Sequence, residues 1–280
     1  MRVANVKVPQ GLGDIFWCYR KLYNYFDEIN LKVYVTSDTH TIEMRSMKLF
    51  DGYPKIGTVK AEVAVPQLVY QLPKKIIRLD DILKPDNPNP FEFEYVVNKW
   101  MELGNKLEDI DVNYEVAWDI PIPTSPVKDL PSQYILLYIS GDTRKLGNTV
   151  WLLSDWVKLV MEVRKKHDLP IVLVGAGFDS WVQERIIPLL NMNNIPVQVV
   201  TDLSSTELNY VVDKAEWLLG YQSGISILAD HFDTKQLMVY FSGLDKMKDA
   251  WVKPKNRNNG TFHYCWFKDP IEKAVQILGV

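Results

Sequence analysis

The chain has 280 residues, of which 47% are apolar and 24% are charged, and its formal net charge at pH 7 is −3. This composition excludes the disordered, collagen-like and low-complexity classes, because it supplies enough apolar side chains for a sizeable core. The length favours two domains. The small net charge gives no global field that would hold a nucleic-acid backbone, although local basic patches are compatible with it.

The two cysteines and the apolar segments predict where the protein works. Cys18 and Cys265 lie far apart and form no CxxC pair, so neither a disulfide framework nor a cysteine-rich zinc site is available. No stretch approaches the roughly 18 apolar residues that span a bilayer. We therefore expect a cytoplasmic protein without integral membrane association.

The first half of the chain opens as an α/β unit. Residues 3–8 are expected to form a strand, a glycine-containing loop follows, and residues 15–26 have the spacing of a helix. A second strand is predicted over residues 31–36 and a further helix over residues 91–107. Between this strand and this helix, residues 37–90 show no regular pattern that predicts an element.

Four prolines between residues 121 and 131 mark a linker, and they divide the chain into predicted domains 1–125 and 126–280. In the second domain strands are predicted at 134–139, 171–174, 197–200, 217–221 and 236–241, and helices at 154–166, 180–190, 205–215 and 225–230. A last helix is expected with Asp269 as its cap and Pro270 at its first position. It is assigned to the second domain, and packing against the first domain is the alternative. This alternation predicts a parallel sheet with helices on both faces.

The first loop carries Gly11, Gly13 and Asp14. Glycines there suit a phosphate-binding turn at a helix N-terminus, but the loop is not a dinucleotide fingerprint, because the third glycine of GxGxxG would fall at Phe16. Asp14 is a candidate general base. Position alone favours a helix cap, which is the alternative.

Two further loops carry groups that suit a nucleotide. Thr143, Arg144 and Lys145 place a hydroxyl and two cations after the first strand of the second domain, which matches the oxygens of a diphosphate. Asp179 follows the next strand, where a carboxylate can accept hydrogen bonds from ribose hydroxyls. A solvated loop for the first and a helix cap for the second are the alternatives.

Gln222, Ser223 and Gly224 form the most informative stretch, because a strand, small residues and a short helix follow one another there. The N-terminus of such a helix presents free N–H groups to an anion. The alternative is a tight turn that only requires Gly224.

The sequence predicts no metal site and no serine triad. The four histidines have no HExxH or HxH spacing, no acidic cluster has metal-ligand spacing, and no GxSxG motif is present. The aromatic run at residues 262–267 could stack nucleobases, but a buried edge strand beside a solvated loop explains it better.

Taken in order, these motifs resemble the heptosyltransferase-like family of glycosyltransferases, glycosyltransferase family 9. The matching stretches are Gly13-Asp14, "YILLYISGDTRK…VW", "IVLVGAGFD", "WLLGYQSGISILA" and "LMVYFSGLD". The resemblance covers most of the chain, but in the first half only Gly13-Asp14 matches well. It implies the α/β fold of GT-B type, with two Rossmann-like domains whose parallel sheets face each other across a cleft.

The resemblance also implies roles for the candidate residues. Asp14 corresponds to the family's proposed base, and residues 222–229 correspond to the element that meets the donor sugar and diphosphate. Gln222 stands where the family has Asp, and Ile227 stands where it has His. These departures bear on the donor sugar more than on the reaction type.

Two more positions follow from the resemblance. Trp151 matches the tryptophan of the family's KxWP element, while Thr149 stands where its lysine is expected and Lys145 is a nearby substitute. The family's acidic ribose contact falls near Asp179.

The resemblance implies inverting, metal-independent transfer of a hexosyl or heptosyl group from a nucleoside-diphosphate sugar to a hydroxyl acceptor, and it points to a cell-envelope glycan as the acceptor. The nucleotide sugar is a substrate, and no cofactor is implied. Three alternatives stay open: transfer to modified DNA bases, which would make nucleic acid an acceptor; a nucleotide-sugar 2-epimerase; and a non-catalytic protein that binds sugar nucleotides.

Overall fold

A computed structural model describes residues 2–9, 12–13, 16, 19–20, 23, 29–37, 58–63, 117–140, 151–240 and 252–279. Contacts within the chain divide it into two compact units, one formed by Met1–Pro123 with the short segments Ser204–Thr206 and Asp245–Trp251, and the other by the rest of the chain from Thr124 onward. We describe each unit by itself.

The first unit contains a parallel sheet of three strands in the order β1-β2-β3. These strands are β1 (Arg2–Pro9), β2 (Ile29–Ser37) and β3 (Thr58–Val63). The predicted strands at 3–8 and 31–36 are confirmed. Strand β3 lies where no element was predicted, although the alternation of polar and apolar residues in TVKAEV is typical of a half-buried strand.

A helical segment follows β1, and its described residues are Leu12, Gly13, Phe16, Tyr19 and Arg20. Phe16, Tyr19 and Arg20 are buried, as their helical spacing predicts. The Arg20 guanidinium lies 4.9 Å from the ring centroid of Phe16 and 5.2 Å from that of Trp118. These contacts tie the segment before the linker to the first helix. The predicted helix at 91–107 lies outside the described residues.

The second unit is an all-parallel sheet of six strands with helices between them, as predicted. The strands are β4 (Ile135–Tyr138), β5 (Ile171–Gly175), β6 (Val197–Thr201), β7 (Trp217–Tyr221), β8 (Lys235–Tyr240) and β9 (Phe262–Trp266). The helices are α1 (Leu153–His167), α2 (Ser180–Met192), α3 (Ser205–Asp213), α4 (Gly224–His231), α5 (Pro254–Asn258) and α6 (Ile271–Leu278).

The middle strands are buried on both faces, which explains their continuous apolar sequences. Every residue of β5 and β7 is buried, and so is Ile135–Leu137 of β4. One face packs against a core that includes Trp156 and Val160 of α1, Ile186 of α2 and Ala274 of α6. Helix α4 packs against β7 and β8.

Two sequence predictions are corrected at the edge of this sheet. Pro270 is the N-cap of α6 rather than its first helical residue, because its backbone is extended, with φ −67° and ψ 154°. The Asp269 carboxylate accepts the Trp266 N–H at 2.7 Å instead of capping the helix. Residues 262–266 of the aromatic run form the edge strand β9, as favoured, but of these five residues only Cys265 is buried.

Candidate active site

The strand order β6-β5-β4-β7-β8-β9 determines where a ligand would bind. In chain order it corresponds to the 3-2-1-4-5-6 arrangement of doubly wound sheets. The order reverses between β4 and β7, and ligands of such sheets bind outside the carboxyl ends of the strands at this switch point. The residues that follow β4 and β7 therefore define the candidate site.

The predicted turn at Gln222, Ser223 and Gly224 lies at this place. It follows β7 directly, and α4 begins at Gly224. The Gln222 N–H donates to the Val239 carbonyl of β8 at 3.2 Å, which fixes the turn to the sheet. Ser223 is the extended N-cap residue, and its N–H donates to Ser226 Oγ at 3.2 Å.

The Ser223 hydroxyl is the unusual group of the turn. It makes no side-chain capping hydrogen bond to α4, and its oxygen is buried with no hydrogen-bond partner among the described residues. A buried hydroxyl normally has a partner. At the positive end of a helix dipole, a donor without a partner is suited to an anionic oxygen.

Asp179 lies at the carboxyl end of β5, but it is turned into the protein. It is 2% exposed, and its Oδ2 accepts the Ala176 N–H at 2.8 Å. Asp179 is the N-cap residue of α2, but its carboxylate caps no N–H of that helix and instead closes the short turn at residues 177–179. The proposed ribose contact of Asp179 stays a prediction.

Sequence reasoning missed a second carboxylate on the same edge, Asp202, which follows β6 and is exposed. Its Oδ1 accepts the Gly177 N–H at 3.0 Å, and its own N–H donates to the Gly175 carbonyl at 3.2 Å. Its backbone is left-handed, with φ 53°, which Asp tolerates better than most residues. An acidic residue directly after the strand VQVVT was the available signal.

Behind the turn, three aromatic residues form a hydrogen-bonded cluster that the sequence did not predict. Trp156 Nε1 donates to the Tyr221 hydroxyl at 3.3 Å, and this hydroxyl donates to the Trp151 carbonyl at 3.3 Å. Burial raises the pKa of Tyr221 to about 12, which keeps its hydroxyl protonated as a donor. Of the three, only Trp151 had been singled out, through the family resemblance.

The far end of α4 is anchored by buried polar groups. Asp230 is fully buried, and its Oδ1 and Oδ2 accept the Lys253 N–H at 3.0 and 3.1 Å. Asn256 Nδ2 donates to the same Oδ1 at 3.0 Å, and Lys253 Nζ donates to the His231 carbonyl at 2.6 Å. The helix that presents the candidate anion site is thus held at both ends.

The remaining predicted site residues divide into two groups. Gly13 is helical and buried. The other candidates lie outside the described residues, namely Gly11, Asp14, Thr143, Arg144, Lys145 and Thr149. Within the described ranges no group of three or more His, Cys, Asp or Glu side chains could hold a metal ion. None of the helices that the structure describes has the length and hydropathy needed to cross a membrane.

No protein-family model matches the sequence, and no curated protein matches it either. Solved structures do match. The chain resembles the Escherichia coli heptosyltransferase WaaC with ADP at a TM-score of 0.60 and 13% identity, covering 100% of this chain and 99% of that one. It resembles the glycosyl transferase family 9 structure from Veillonella parvula at 0.59 and 10% identity, covering 95% and 86%.

A third match is the UDP-GlcNAc 2-epimerase from Methanocaldococcus jannaschii, at a TM-score of 0.51 and 13% identity, covering 100% of this chain and 92% of that one. At such identities the likeness shows the fold alone. The predicted resemblance and the predicted GT-B fold class are therefore confirmed as statements about structure. The chain has the α/β fold of these heptosyltransferase and epimerase structures.

Proposed function

We propose that this protein is a glycosyltransferase that moves a sugar from a nucleoside-diphosphate sugar to a hydroxyl group of an acceptor. The observation that carries the proposal is the buried Ser223 hydroxyl at the N-terminus of α4, which has no hydrogen-bond partner in the described part of the chain and lies at the switch point of the sheet. A donor group and a helix dipole at this place suit the departing diphosphate. The fold is shared with a heptosyltransferase solved with ADP, which makes a nucleoside diphosphate the natural candidate.

The proposed reaction is a direct displacement with inversion. The acceptor oxygen forms a bond to the anomeric carbon while the bond from that carbon to the diphosphate oxygen breaks, and the diphosphate leaves with the electron pair. Asp14 takes the proton of the acceptor hydroxyl, a role typically worth about 10²- to 10⁴-fold in rate. Ser223, the α4 N-terminus and Arg144 or Lys145 stabilise the leaving group, so the reaction needs no metal ion.

The acceptor we propose is a cell-envelope glycan, with the transfer taking place in the cytoplasm. This part of the proposal rests on the resemblance to heptosyltransferases rather than on any described residue. Gln222 would bond hydroxyls of the donor sugar through its amide, without the charge of the Asp that the family has at this position.

A nucleotide-sugar 2-epimerase shares the fold and is the second candidate. Such an enzyme would need acidic and histidine side chains at the carboxyl edge of the strands. The described histidines lie elsewhere: His167 ends α1, His231 ends α4, and His263 pairs with Leu237 inside the sheet. Their positions favour the transferase. Epimerisation of a nucleotide sugar without an acceptor, followed by proton NMR, would favour the other candidate.

The test begins with a thermal-shift screen of nucleoside diphosphates, because a ligand at 100 times its Kd stabilises the folded state by about 2.7 kcal/mol. Calorimetry then compares the best diphosphate with its monophosphate. We expect the diphosphate to bind more tightly, and Ser223→Ala to weaken it more than Ser180→Ala, a matched change at the exposed start of α2. Equal affinities for the two nucleotides would remove the diphosphate from the proposal. Transfer activity should persist in excess EDTA, and a loss reversed by Mg²⁺ would contradict the metal-free mechanism.

A further inference from the structure

The hydroxyl of Ser226 forms two hydrogen bonds, and both go to the backbone of Ser223. It accepts the Ser223 N–H at 3.2 Å and donates to the Ser223 carbonyl at 2.6 Å. The N–H of Ser226 donates to the same carbonyl at 3.1 Å. The side chain of Ser226 is buried, since the residue is 6% exposed. Its hydroxyl therefore holds Ser223 in place, and its one proton is already used.

These bonds decide which N–H groups at the start of α4 are already paired. The first four N–H groups of a helix have no acceptor within the helix. In α4 they belong to Ser223, Gly224, Ile225 and Ser226. Those of Ser223 and Ser226 are paired with each other's residue. Those of Gly224 and Ile225 have no acceptor in the part of the chain that the structure describes.

The same bonds leave the Ser223 hydroxyl without a capping role. A serine at the N-cap normally accepts the N–H of the second or third helical residue with its side chain. Here the N–H of the third residue, Ser226, goes to the Ser223 carbonyl, while the Ser223 backbone stays extended at φ −163° and ψ 178°. One hydroxyl and the N–H groups of Gly224 and Ile225 are thus three donors at one positive helix end, which suits the oxygens of a phosphoryl group.

We propose that Ser226 is a positioning residue of the nucleotide site, whose hydroxyl holds the Ser223 backbone so that the Ser223 hydroxyl donates to an oxygen of the diphosphate instead of capping α4. This inference rests on the proposed function, because it concerns the same leaving-group site. Ser226 does not contact the ligand in this proposal. It acts through Ser223.

The test is Ser226→Ala, which removes only the hydroxyl. Without it the Ser223 backbone loses two bonds, and the Ser223 hydroxyl can turn onto the first turn of α4 as a cap. The probe is whichever of ADP, CDP, GDP, TDP and UDP stabilises the unaltered protein most in the thermal-shift screen. Calorimetry should show its Kd rising about 3- to 10-fold, the range expected for one hydrogen bond.

A double-mutant cycle with Ser223→Ala shows through which group Ser226 acts. When Ser223→Ala is already present, no hydroxyl is left to position, so adding Ser226→Ala should change the Kd by less than twofold. A merely structural contribution of Ser226 to α4 would weaken binding by the same factor in both backgrounds. Such additive effects would overturn the positioning role.

Thr234→Val is the matched control, because it removes another buried hydroxyl close to α4. Thr234 is 5% exposed, and its hydroxyl donates to the Val212 carbonyl at 2.9 Å, just before β8 begins. This variant should lose melting temperature and keep the Kd of the nucleoside diphosphate. A rise in Kd as large as that of Ser226→Ala would mean that affinity only follows stability, and it would overturn the role of Ser226.

The outcomes separate this inference from the proposed function. If the unaltered protein binds none of the five nucleoside diphosphates, or if Ser223→Ala binds the best of them as tightly as the unaltered protein does, the proposed leaving-group site fails and this inference fails with it. If Ser223→Ala weakens binding and Ser226→Ala does not, the site stands and only the positioning role is overturned.

Discussion

Glycine is required at position 220 because two strands approach each other closely there, and not because of its backbone angles. It pairs with Tyr138 across the β4–β7 contact, and a Cβ added to it would lie 2.1 Å from the Tyr138 carbonyl oxygen. No side-chain rotation relieves such a clash, so a methyl group must push the two central strands apart. The candidate site begins two residues further on, at Gln222.

Gly220→Ala should therefore lower the free energy of unfolding by about 1–3 kcal/mol, the usual cost of overpacking. The midpoint of urea denaturation measures this loss. Gly177→Ala is the control, because its added Cβ would meet nothing nearer than the Asp202 carboxylate oxygens at 3.9 Å. Equal stabilities for the two variants would mean that the central strands yield to the methyl group.

Asp14 carries the proposed chemistry, and Asn is the substitution that isolates it. Asn caps a helix about as well as Asp, so Asp14→Asn should leave the melting temperature unchanged. We expect the donor Kd to stay nearly constant and kcat to fall by about 10²-fold or more, because a positioned proton acceptor is lost. A kcat within a few fold of the unaltered value, or a parallel loss of stability and activity, would return Asp14 to a capping role.

At the scale of elements, helix α4 depends on the polar groups at its C-terminal end. Asp230→Ala would leave the buried Lys253 N–H without the carboxylate oxygens that accept it, whereas Asn256 Nδ2 would keep the Asp230 carbonyl and Asp233 Oδ1 as acceptors. An unsatisfied buried donor costs about 1–3 kcal/mol, so we expect urea denaturation to show a loss in this range.

The control for this loss is Asp213→Ala, which removes an ion pair with Lys214 on the surface of the same unit. Surface pairs contribute less than about 1 kcal/mol. If Asp230→Ala costs no more than Asp213→Ala, the buried groups must find other partners, and α4 does not depend on this anchor.

The elements of the second unit could be predicted because the local sequence of each one indicates whether it is a strand or a helix. Continuous apolar runs bounded by turn residues predicted β5 and β7, and the structure extends their predicted bounds by no more than one residue. The turn at Ser223 and Gly224 could be placed for the same reason. The bonds that give the site its geometry could not, because the Tyr221 hydroxyl and the Trp151 carbonyl are 70 residues apart in sequence.

For Asp179, the sequence predicts the position of the residue but not the orientation of its side chain. Its position after β5 was predicted correctly, but the direction of its side chain depends on the Ala176 N–H and on the tight turn between them. Asp179 lies beyond the end of β5 by several residues, whereas Asp202 follows the end of β6 directly. Asp202, on the next strand, is the exposed one.

At the scale of the whole molecule, buried tyrosine and cysteine side chains predict sensitivity to alkali. Burial raises the pKa values of Tyr134, Tyr221 and Cys265, the last two to about 12. Their neutral forms are favoured by folding, so their contribution to stability is complete below the ordinary pKa values, near 9 to 10, and is lost as pH rises above them.

We expect the urea midpoint to be steady between pH 7 and 8 and to fall progressively above about pH 9. Tyr134→Phe should make this fall shallower, because one of the groups that must ionise on unfolding is removed. Tyr264→Phe, a change on the exposed edge strand, should leave the slope as it is. A midpoint independent of pH up to 11 would contradict the burial of these groups.

The central position of β4 has a consequence for how the chain is made. Strand β4 is the first strand of this sheet to be synthesised, and one of its edges pairs with β7. The paired residues Ile135 and Trp217 are about 80 residues apart in sequence. This edge of β4 therefore has no partner until that much more of the chain has left the ribosome. The strands β4, β5 and β6 can pair earlier. During this interval ILLY is an apolar strand with an open edge, the kind of template on which nascent chains aggregate. A translation pause before residue 217 would lengthen that interval, and the yield of folded protein would fall with it.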